Sequence, residues 1–191
     1  MAFRDLECVE ISREHIVQDE WIDFRRSAYR FPDGRVFEPY YTYTRRDYAV
    51  VVASDEEGRF LCVRQFRQGL RKVTTEFPAG GIDPRDLQQT GLSPEAVALA
   101  AAKRELREET GYESEEWTHL LTVPSNATLS DNYAWIFRAK NCRASANQQL
   151  DAMELLNYEK KAPDEIEALI SRGEFEQAVH TLAWLLSLRQ E

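Results

Sequence analysis

Cysteine, histidine and basic charge are all scarce in this chain of 191 residues. It has three cysteines and three histidines, and no Cys-x-x-Cys pair occurs. That usage excludes a disulfide framework and a zinc site, so we expect reduced thiols and a cytoplasmic location. Lys and Arg number 24 against 33 Asp and Glu, which gives a formal net charge of -9. Because nucleic acids and anionic membranes attract basic surfaces, we expect neither as a partner.

Long apolar runs are also missing. Charged residues interrupt the first twenty positions, so neither a signal peptide nor a membrane-spanning helix is predicted. Internal repeats, low-complexity tracts and an interdomain linker are absent as well. With 43% hydrophobic and 30% charged residues the composition is that of a globular protein. We therefore expect a single domain over residues 1–191.

Turn formers and alternating apolar positions predict strands in the first half of the chain. Residues 7–44 are rich in aromatic side chains and predict antiparallel strands around a turn at 32–34. A second hairpin is predicted from strands at 48–53 and 59–66. The remaining predicted elements are strands at 73–77, 117–123, 133–139 and 154–158, and helices at 163–171 and 174–188.

One long helix is predicted in the middle of the chain. Ser93 is a suitable N-cap, and Pro94 suits the first helical position. Glu95 places a negative charge near the positive end of the helix. The helix should continue to Thr110, because Gly111 offers the left-handed conformation that often ends helices.

Three glutamates near the end of this helix share one face. Glu105, Glu108 and Glu109 are three and four positions apart, which makes them neighbours on a helix. A solvated acidic face is the alternative interpretation. Against it, small alanines occupy the same arc, which suits an inward-facing surface. The acids also repel one another and oppose the helix dipole, at a cost of a few tenths of a kcal/mol each.

A divalent cation would neutralise such a cluster. Clustered carboxylate oxygens suit Mg²⁺, or alternatively Mn²⁺, better than zinc. A bound ion of this kind keeps positions for water and phosphate oxygens. It can therefore stabilise charge during attack on phosphorus, while a carboxylate orients or deprotonates the attacking water.

The segment from Arg104 to Tyr112 resembles the Nudix hydrolase family, whose motif contains Arg-Glu-apolar-x-Glu-Glu-x-Gly-apolar. Upstream, Glu76-Phe77-Pro78-Ala79-Gly80 is similar to the family's glycine entry to this motif. The resemblance implies an α/β fold: an α/β/α sandwich with a mixed β-sheet, preceded by an N-terminal antiparallel β extension. It divides the chain into an extension over residues 1–44 and a core over residues 45–191.

The resemblance also implies roles for individual residues. Glu105, Glu108 and Glu109 would be metal ligands and catalytic residues, and the backbone carbonyl of Ala79 would supply a further metal ligand. Arg104 would orient the cluster. The implied reaction is attack by water on a diphosphate that is joined to another group.

Two departures from the family pattern affect how far these roles transfer. The family has a glutamate eight positions before the motif arginine, and Ala96 stands there in this chain. An insertion of about ten residues lies between Ile82 and Ala96. Glu95 is a candidate to replace the missing acid as the partner of Arg104.

Within the family, the chain is most similar to the branch of ADP-ribose pyrophosphatases and nucleoside diphosphate sugar hydrolases. The similarity rests on the aromatic N-terminal extension, on Arg64-Gln65-Phe66-Arg67 and on an acidic stretch after the late strands. It implies a homodimer in which the extension takes part. Trp21 and Arg67 would bind the substrate. For Trp21 the alternative is a core or interface aromatic, and for Arg67 a surface charge.

Several residues are candidates for the general base. In this branch an acidic loop supplies it, and the expected position falls on Ala152. Glu154 or Asp151 could take its place, or the base could come from the motif itself. The three histidines lie apart in the sequence, and we interpret them as surface or satisfied structural residues: His15, His119 and His180.

The resemblance thus implies Mg²⁺-dependent hydrolysis of a nucleoside diphosphate sugar such as ADP-ribose. The loop at 124–131 resembles the branch's substrate loop but lacks its Pro-Gly, so the sugar and the base stay open. One alternative keeps the chemistry and changes the substrate to a dinucleoside polyphosphate or a nucleoside triphosphate. Another is a nucleotide-sugar-binding module without turnover, which Ala96 and Ala152 would favour.

Overall fold

The computed structural model describes residues 6–83, 86, 91–151 and 154–190, without the side chain of residue 190. Two compact units make up the chain. The first comprises Met1–Arg46 with Pro124–Tyr133, and the second comprises Asp47–Val123 with Ala134–Glu191. Among the described residues, no helix is both long and apolar enough to cross a membrane.

The first unit is an antiparallel three-stranded sheet. Its strands are β1 (Val9–Gln18), β2 (Asp23–Arg30) and β3 (Val36–Thr44), in the order β1-β2-β3. The predicted turn at 32–34 joins the last two strands, with Gly34 at a φ of 88°. The segment 124–133 extends the unit, because the amide of Tyr43 donates to the Leu129 carbonyl at 2.8 Å. The prediction of antiparallel strands over residues 7–44 is confirmed.

The second unit is built on a mixed sheet. Its main order is β11-β5-β4-β10-β8, with β6 beside β5, β7 beside β4 and β9 beside β10. Strands β4 and β10 are parallel, whereas β5 runs antiparallel to β4. The bounds are β4 (Tyr48–Asp55), β5 (Phe60–Arg67), β6 (Lys72–Glu76), β7 (Ala79–Gly81), β8 (Tyr112–Glu113), β9 (Glu116–Pro124), β10 (Tyr133–Ala144) and β11 (Leu156–Lys161).

Helices cover both faces of this sheet. They are α1 (Pro94–Thr110), α2 (Pro163–Ser171) and α3 (Ala178–Ser187), and a 3₁₀ turn follows at Leu188–Gln190. Side chains of a strand alternate between faces, and β4 divides its apolar residues accordingly. Odd-numbered positions such as Val51 pack with α1, while Val50 and Val52 pack with the C-terminal helices. The predicted α/β/α sandwich is confirmed.

Helix α1 begins and ends as the sequence predicts. The Ser93 hydroxyl accepts the amide hydrogen of Ala96 at 3.2 Å, and the helix closes at Gly111 with a φ of 75°. A side chain at Gly111 would place its Cβ 2.3 Å from the Ala146 carbonyl oxygen. Both the backbone conformation and the close neighbour therefore require glycine there.

Some boundaries differ from the predictions for a reason outside local sequence. The glycine segment, for which no strand is predicted, forms the short strand β7, since Ala79 pairs with Val50 of β4. Helix α3 begins at Ala178 rather than at 174, because Phe175 turns into the core against Phe77. Long-range packing decides both cases.

Candidate active site

Three carboxylates converge at one end of α1. Oxygen atoms of Glu105, Glu109 and Glu154 all lie within 4.8 Å of one another. Glu105 and Glu109 occupy successive turns of α1 and are buried, while Glu154 precedes β11 and is exposed. The helical spacing predicts the first two together, and the third comes from a segment about fifty positions further along the chain.

Glu109 is the most deeply enclosed of the three acids. Its Oε2 accepts the amide hydrogen of Ala79 at 3.0 Å. Burial raises the pKa of Glu109 well above its ordinary value, and the charge of Glu105 raises it further. The hydrogen bond from Ala79 acts in the opposite direction. Without a cation, ionising Glu109 is therefore costly.

Glu105 lies directly against the glycine strand β7. Burial, opposed by the charge of Arg104, raises its pKa to about 7. A Cβ atom added to Gly80 would lie 2.1 Å from the Glu105 carboxyl carbon. No other side chain fits at position 80 without displacing this carboxylate.

The donor set fits a divalent cation of the magnesium type. Glu105, Glu109 and Glu154 present only oxygen atoms, which such ions prefer. Glu105 and Glu109 have raised pKa values because of burial and repulsion by neighbouring acids, both of which a bound cation would offset. These three residues would hold the ion.

The segment before β11 is fastened to the end of α1. The amides of Ser145 and Ala146 donate to the Gly111 carbonyl at 2.9 and 3.1 Å. The amide of Gln149 donates to the Glu108 carbonyl at 2.8 Å. These donors satisfy carbonyls that the helix end leaves without an internal partner, and they bring the following residues near the acids. Glu154 follows Gln149 by five positions.

Arg104 is half-buried among oxygen acceptors. Its Nη1 donates to Glu105 at 2.6 Å and to Glu108 at 2.9 Å, and its Nη2 donates to the Gly81 carbonyl at 2.9 Å. Burial lowers the pKa of Arg104, but the surrounding acids outweigh burial and raise it above its ordinary value. Glu108, a predicted metal ligand, therefore forms an ion pair with Arg104. It is not one of the three converging acids.

Asp86 is a partner of Arg104 that the sequence analysis missed. Its buried Oδ2 accepts from Arg104 Nη2 at 3.1 Å and from the Asp83 amide at 2.8 Å. The expectation for Glu95 is corrected, because its carboxylate lies 3.7 Å from His119 instead. Asp86 falls in the insertion between Ile82 and Ala96, where no periodic pattern marks it. The rest of that insertion lies partly outside the described residues, at positions 84, 85 and 87–90.

Replacing Asp86 by Asn is expected to raise the dissociation constant for a divalent cation such as Mn²⁺ by about 10-fold to 100-fold, as for residues that orient metal ligands. The substitution removes the charge that holds Arg104, and Arg104 in turn contacts Glu105. Calorimetric titration with Mn²⁺ measures the effect. Glu95→Gln is the matched control and should behave as wild type. Equal Mn²⁺ affinity in both variants would exclude an orienting role for Asp86.

Arg67 is held in a bidentate pair with Glu76. Its Nε and Nη2 lie 2.9 and 2.6 Å from the two carboxylate oxygens of Glu76, which is fully buried. The Arg67 side chain is one-third exposed, so it is not a freely solvated surface charge. The pair leaves Nη1 facing away from Glu76.

Trp21 belongs to the first unit and lies on its surface. Its side chain is 57% exposed, and the Arg46 guanidinium lies 5.6 Å from the ring centroid. The alternative of a core aromatic is therefore wrong. An interface residue and a base-stacking residue both fit an exposed indole.

The geometry does not test the predicted metal ligand at Ala79 or the predicted general base near Ala152. The Ala79 carbonyl stays a predicted metal ligand, whereas its amide is already engaged by Glu109. Ala152, the expected position of the general base, lies outside the described residues. Glu154 and Asp151 are joined by two hydrogen bonds. The Asp151 amide donates to the Glu154 carboxylate at 3.1 Å, and the Glu154 amide donates to the Asp151 carbonyl at 2.9 Å.

The raised pKa of Glu105 predicts that the metal-free protein loses stability as the pH rises. Below the ordinary value of 4.5, the folded and unfolded chains both bind the proton, and its stabilising contribution is fully present. From there to pH 7 only the unfolded state ionises, so the free energy of unfolding falls by roughly 3 kcal/mol. Urea denaturation in EDTA at pH 5 and pH 7.5 measures this. Glu105→Gln should lose less, and an equal loss in both proteins contradicts the assignment.

Comparison with known proteins adds a family and a fold. The NUDIX domain family matches residues 44–186. The ADP-ribose pyrophosphatase of Bacillus subtilis (strain 168) is 29% identical over 137 residues, covering 72% of this chain and 68% of that protein. The ADP-sugar pyrophosphatase of Mus musculus is 34% identical over 114 residues, 54% of this chain, and the match spans 48% of the mouse protein.

A solved structure supports the fold at larger coverage. The crystal structure of an ADP compounds hydrolase aligns with a TM-score of 0.79, covering 96% of this chain and 94% of that one. Sequence identity in this alignment is 19%, so the likeness concerns the fold alone. Another relative, the methanol dehydrogenase activator of Bacillus methanolicus, is 31% identical over 116 residues, 60% of this chain and 57% of the relative.

Proposed function

This chain belongs to the NUDIX family, and from that we propose that it hydrolyses the diphosphate linkage of a nucleoside diphosphate sugar such as ADP-ribose. The products are a nucleoside monophosphate and a sugar phosphate. The observation that carries the proposal is the convergence of Glu105, Glu109 and Glu154 beside the glycine strand. Mg²⁺ is the proposed metal, with Mn²⁺ as a substitute.

The reaction is a displacement at phosphorus. A divalent cation held by Glu105, Glu109 and Glu154 would neutralise charge on the phosphate oxygens. The Ala79 amide fixes Glu109, and Arg104 fixes Glu105. Glu154, the exposed acid, would offer one carboxylate oxygen to the cation and accept the proton of the attacking water on the other. The water oxygen bonds to one phosphorus, the bridging P–O bond breaks, and the leaving phosphate keeps its electron pair.

Two side chains support recognition of the substrate. Arg67 is oriented by Glu76 and carries its charge at a partly exposed position, which suits a diphosphate oxygen. The exposed indole of Trp21 suits stacking on a nucleobase. Both roles are part of the proposal.

We further propose a cytoplasmic homodimer. Four apolar side chains of strand β1 are each 40–60% exposed: Val9, Ile11, Ile16 and Val17. A three-stranded sheet that leaves so much apolar surface exposed is only marginally stable by itself. A second copy of the same sheet would bury them. The three cysteines are free, which is typical of a reducing compartment.

A substrate panel with product analysis tests the proposed function. Purified protein is incubated with ADP-ribose, other nucleoside diphosphate sugars, dinucleoside polyphosphates and nucleoside triphosphates, each with Mg²⁺ or EDTA. A monophosphate plus a sugar phosphate, formed only with Mg²⁺, is the expected result. Release of pyrophosphate from triphosphates would instead support a hydrolase of nucleoside triphosphates. Binding of ADP-ribose without turnover of any compound would identify a binding module.

A further inference from the structure

The amide that contacts Glu109 belongs to a segment anchored at three successive residues. The Phe77 amide donates to His180 Nδ1 at 3.1 Å. The Pro78 carbonyl accepts from the Val51 amide at 2.9 Å, and the Ala79 amide donates to Glu109 at 3.0 Å. Two of these anchors are ordinary parts of the sheet or of the acidic site. The third comes from a side chain of α3, 103 positions along the chain.

His180 is buried and held in one tautomer by its neighbours. An amide hydrogen points at Nδ1, so Nδ1 carries no proton and the ring proton is on Nε2. Burial lowers the pKa of His180 to about 4, which keeps the ring neutral at neutral pH. Nε2 lies 3.8 Å from the nearer oxygen of Glu76. The ring also stacks on Phe77 with an interplanar angle of 13°.

Removing the acceptor at Nδ1 would leave a buried backbone amide without a partner. An unpaired buried amide is unfavourable, and a shift of the Phe77 backbone is the available relief. Such a shift would be transmitted to Ala79, because only Pro78 separates the two residues and Pro78 bonds to Val51 through its carbonyl, having no amide hydrogen of its own. The contact with Glu109 lies at the end of that path.

We propose that His180 is a positioning residue for the carboxylate site: it fixes the Phe77 amide and thereby the Ala79 amide that orients Glu109. The inference rests on the proposed function, because it takes Glu105, Glu109 and Glu154 to bind a divalent cation. Among the described residues, His180 makes no hydrogen bond or ion pair with Glu105, Glu109 or Glu154.

Two substitutions separate positioning from simple packing. His180→Asn retains an acceptor oxygen close to the place of Nδ1, whereas His180→Leu has none. Mn²⁺ binding is measured by calorimetry and by electron paramagnetic resonance without substrate. We expect the dissociation constant to rise about 10-fold to 100-fold in His180→Leu, as for other residues that orient metal ligands, and less than 3-fold in His180→Asn.

His119→Leu is the matched control, since His119 bonds to Thr122 and contacts none of the three acids. It should bind Mn²⁺ as wild type does. Equal Mn²⁺ affinity in wild type and a folded His180→Leu overturns the inference while leaving the proposed function intact. Failure of the wild-type protein to bind Mn²⁺ overturns both. If His180→Leu does not fold, ¹⁵N NMR of the wild-type imidazole decides: a proton on Nε2 supports the inference, and one on Nδ1 overturns it.

Discussion

Replacing Glu109 by Gln is expected to lower turnover on the order of 10³-fold, as for loss of a group that stabilises transition-state charge. The same change should leave the metal-free protein as stable as wild type or more stable. Glu109 is buried beside Glu105, and its pKa is raised by burial and by that charge. A neutral amide removes the repulsion, and its oxygen can still accept the Ala79 amide hydrogen. Turnover should thus fall without a loss of stability in the metal-free protein.

The measurements are kcat with saturating Mg²⁺ and the melting temperature in EDTA. Glu113→Gln serves as the control, because Glu113 is an exposed acid that pairs with Arg107 away from the cluster. Glu108→Gln should also lower turnover, since Glu108 shares the Nη1 atom of Arg104 with Glu105. Near-normal activity in both the Glu108 and the Glu109 variants contradicts the assignment of the metal site.

Replacing Gly80 by Ala is expected to lower kcat/KM by about 10²-fold, the effect of displacing a catalytic group by around 1 Å. The new methyl group would lie 2.1 Å from the Glu105 carboxyl carbon. Because the crowded atoms form the far end of a flexible side chain, Glu105 can rotate away and the fold survives. A melting temperature close to that of wild type should accompany the loss of activity.

Gly81→Ala is the comparison, because in the described part of the chain no atom outside the neighbouring residues lies within 4 Å of a Cβ at that position. Steady-state kinetics and Mn²⁺ binding of the two variants give a direct contrast. We expect Gly81→Ala to retain wild-type affinity and Gly80→Ala to bind weakly. If the two variants behave alike, Glu105 is not a ligand held by the glycine strand.

Local sequence accounts for the helix that carries the site. Ser93, Pro94 and Gly111 act within a turn of their own positions, so the bounds of α1 follow from residue type. Helical periodicity likewise places Glu105 and Glu109 on one face. It does not decide which way a side chain turns. Glu108 is on the same face and contacts Arg104, since the two are four residues apart.

Contacts between distant parts of the chain could not be predicted from the sequence. The pairing of β4 with β10 joins residues more than eighty positions apart, and no local pattern selects that partner. Asp86 reaches Arg104 from an insertion without periodicity. His180 was interpreted as a structural residue, and its bond to the Phe77 amide depends on how α3 packs on the sheet.

The fastening of residues 145–149 to the end of α1 keeps the exposed acid close to that helix. Gln149 bonds to the helix end, and Glu154 comes five positions later and two positions before β11. A fully extended chain of five residues spans about 17 Å, which limits the distance between Glu154 and this anchor. Because the anchor is the helix that carries Glu105 and Glu109, a displacement of the helix end would carry all three acids together.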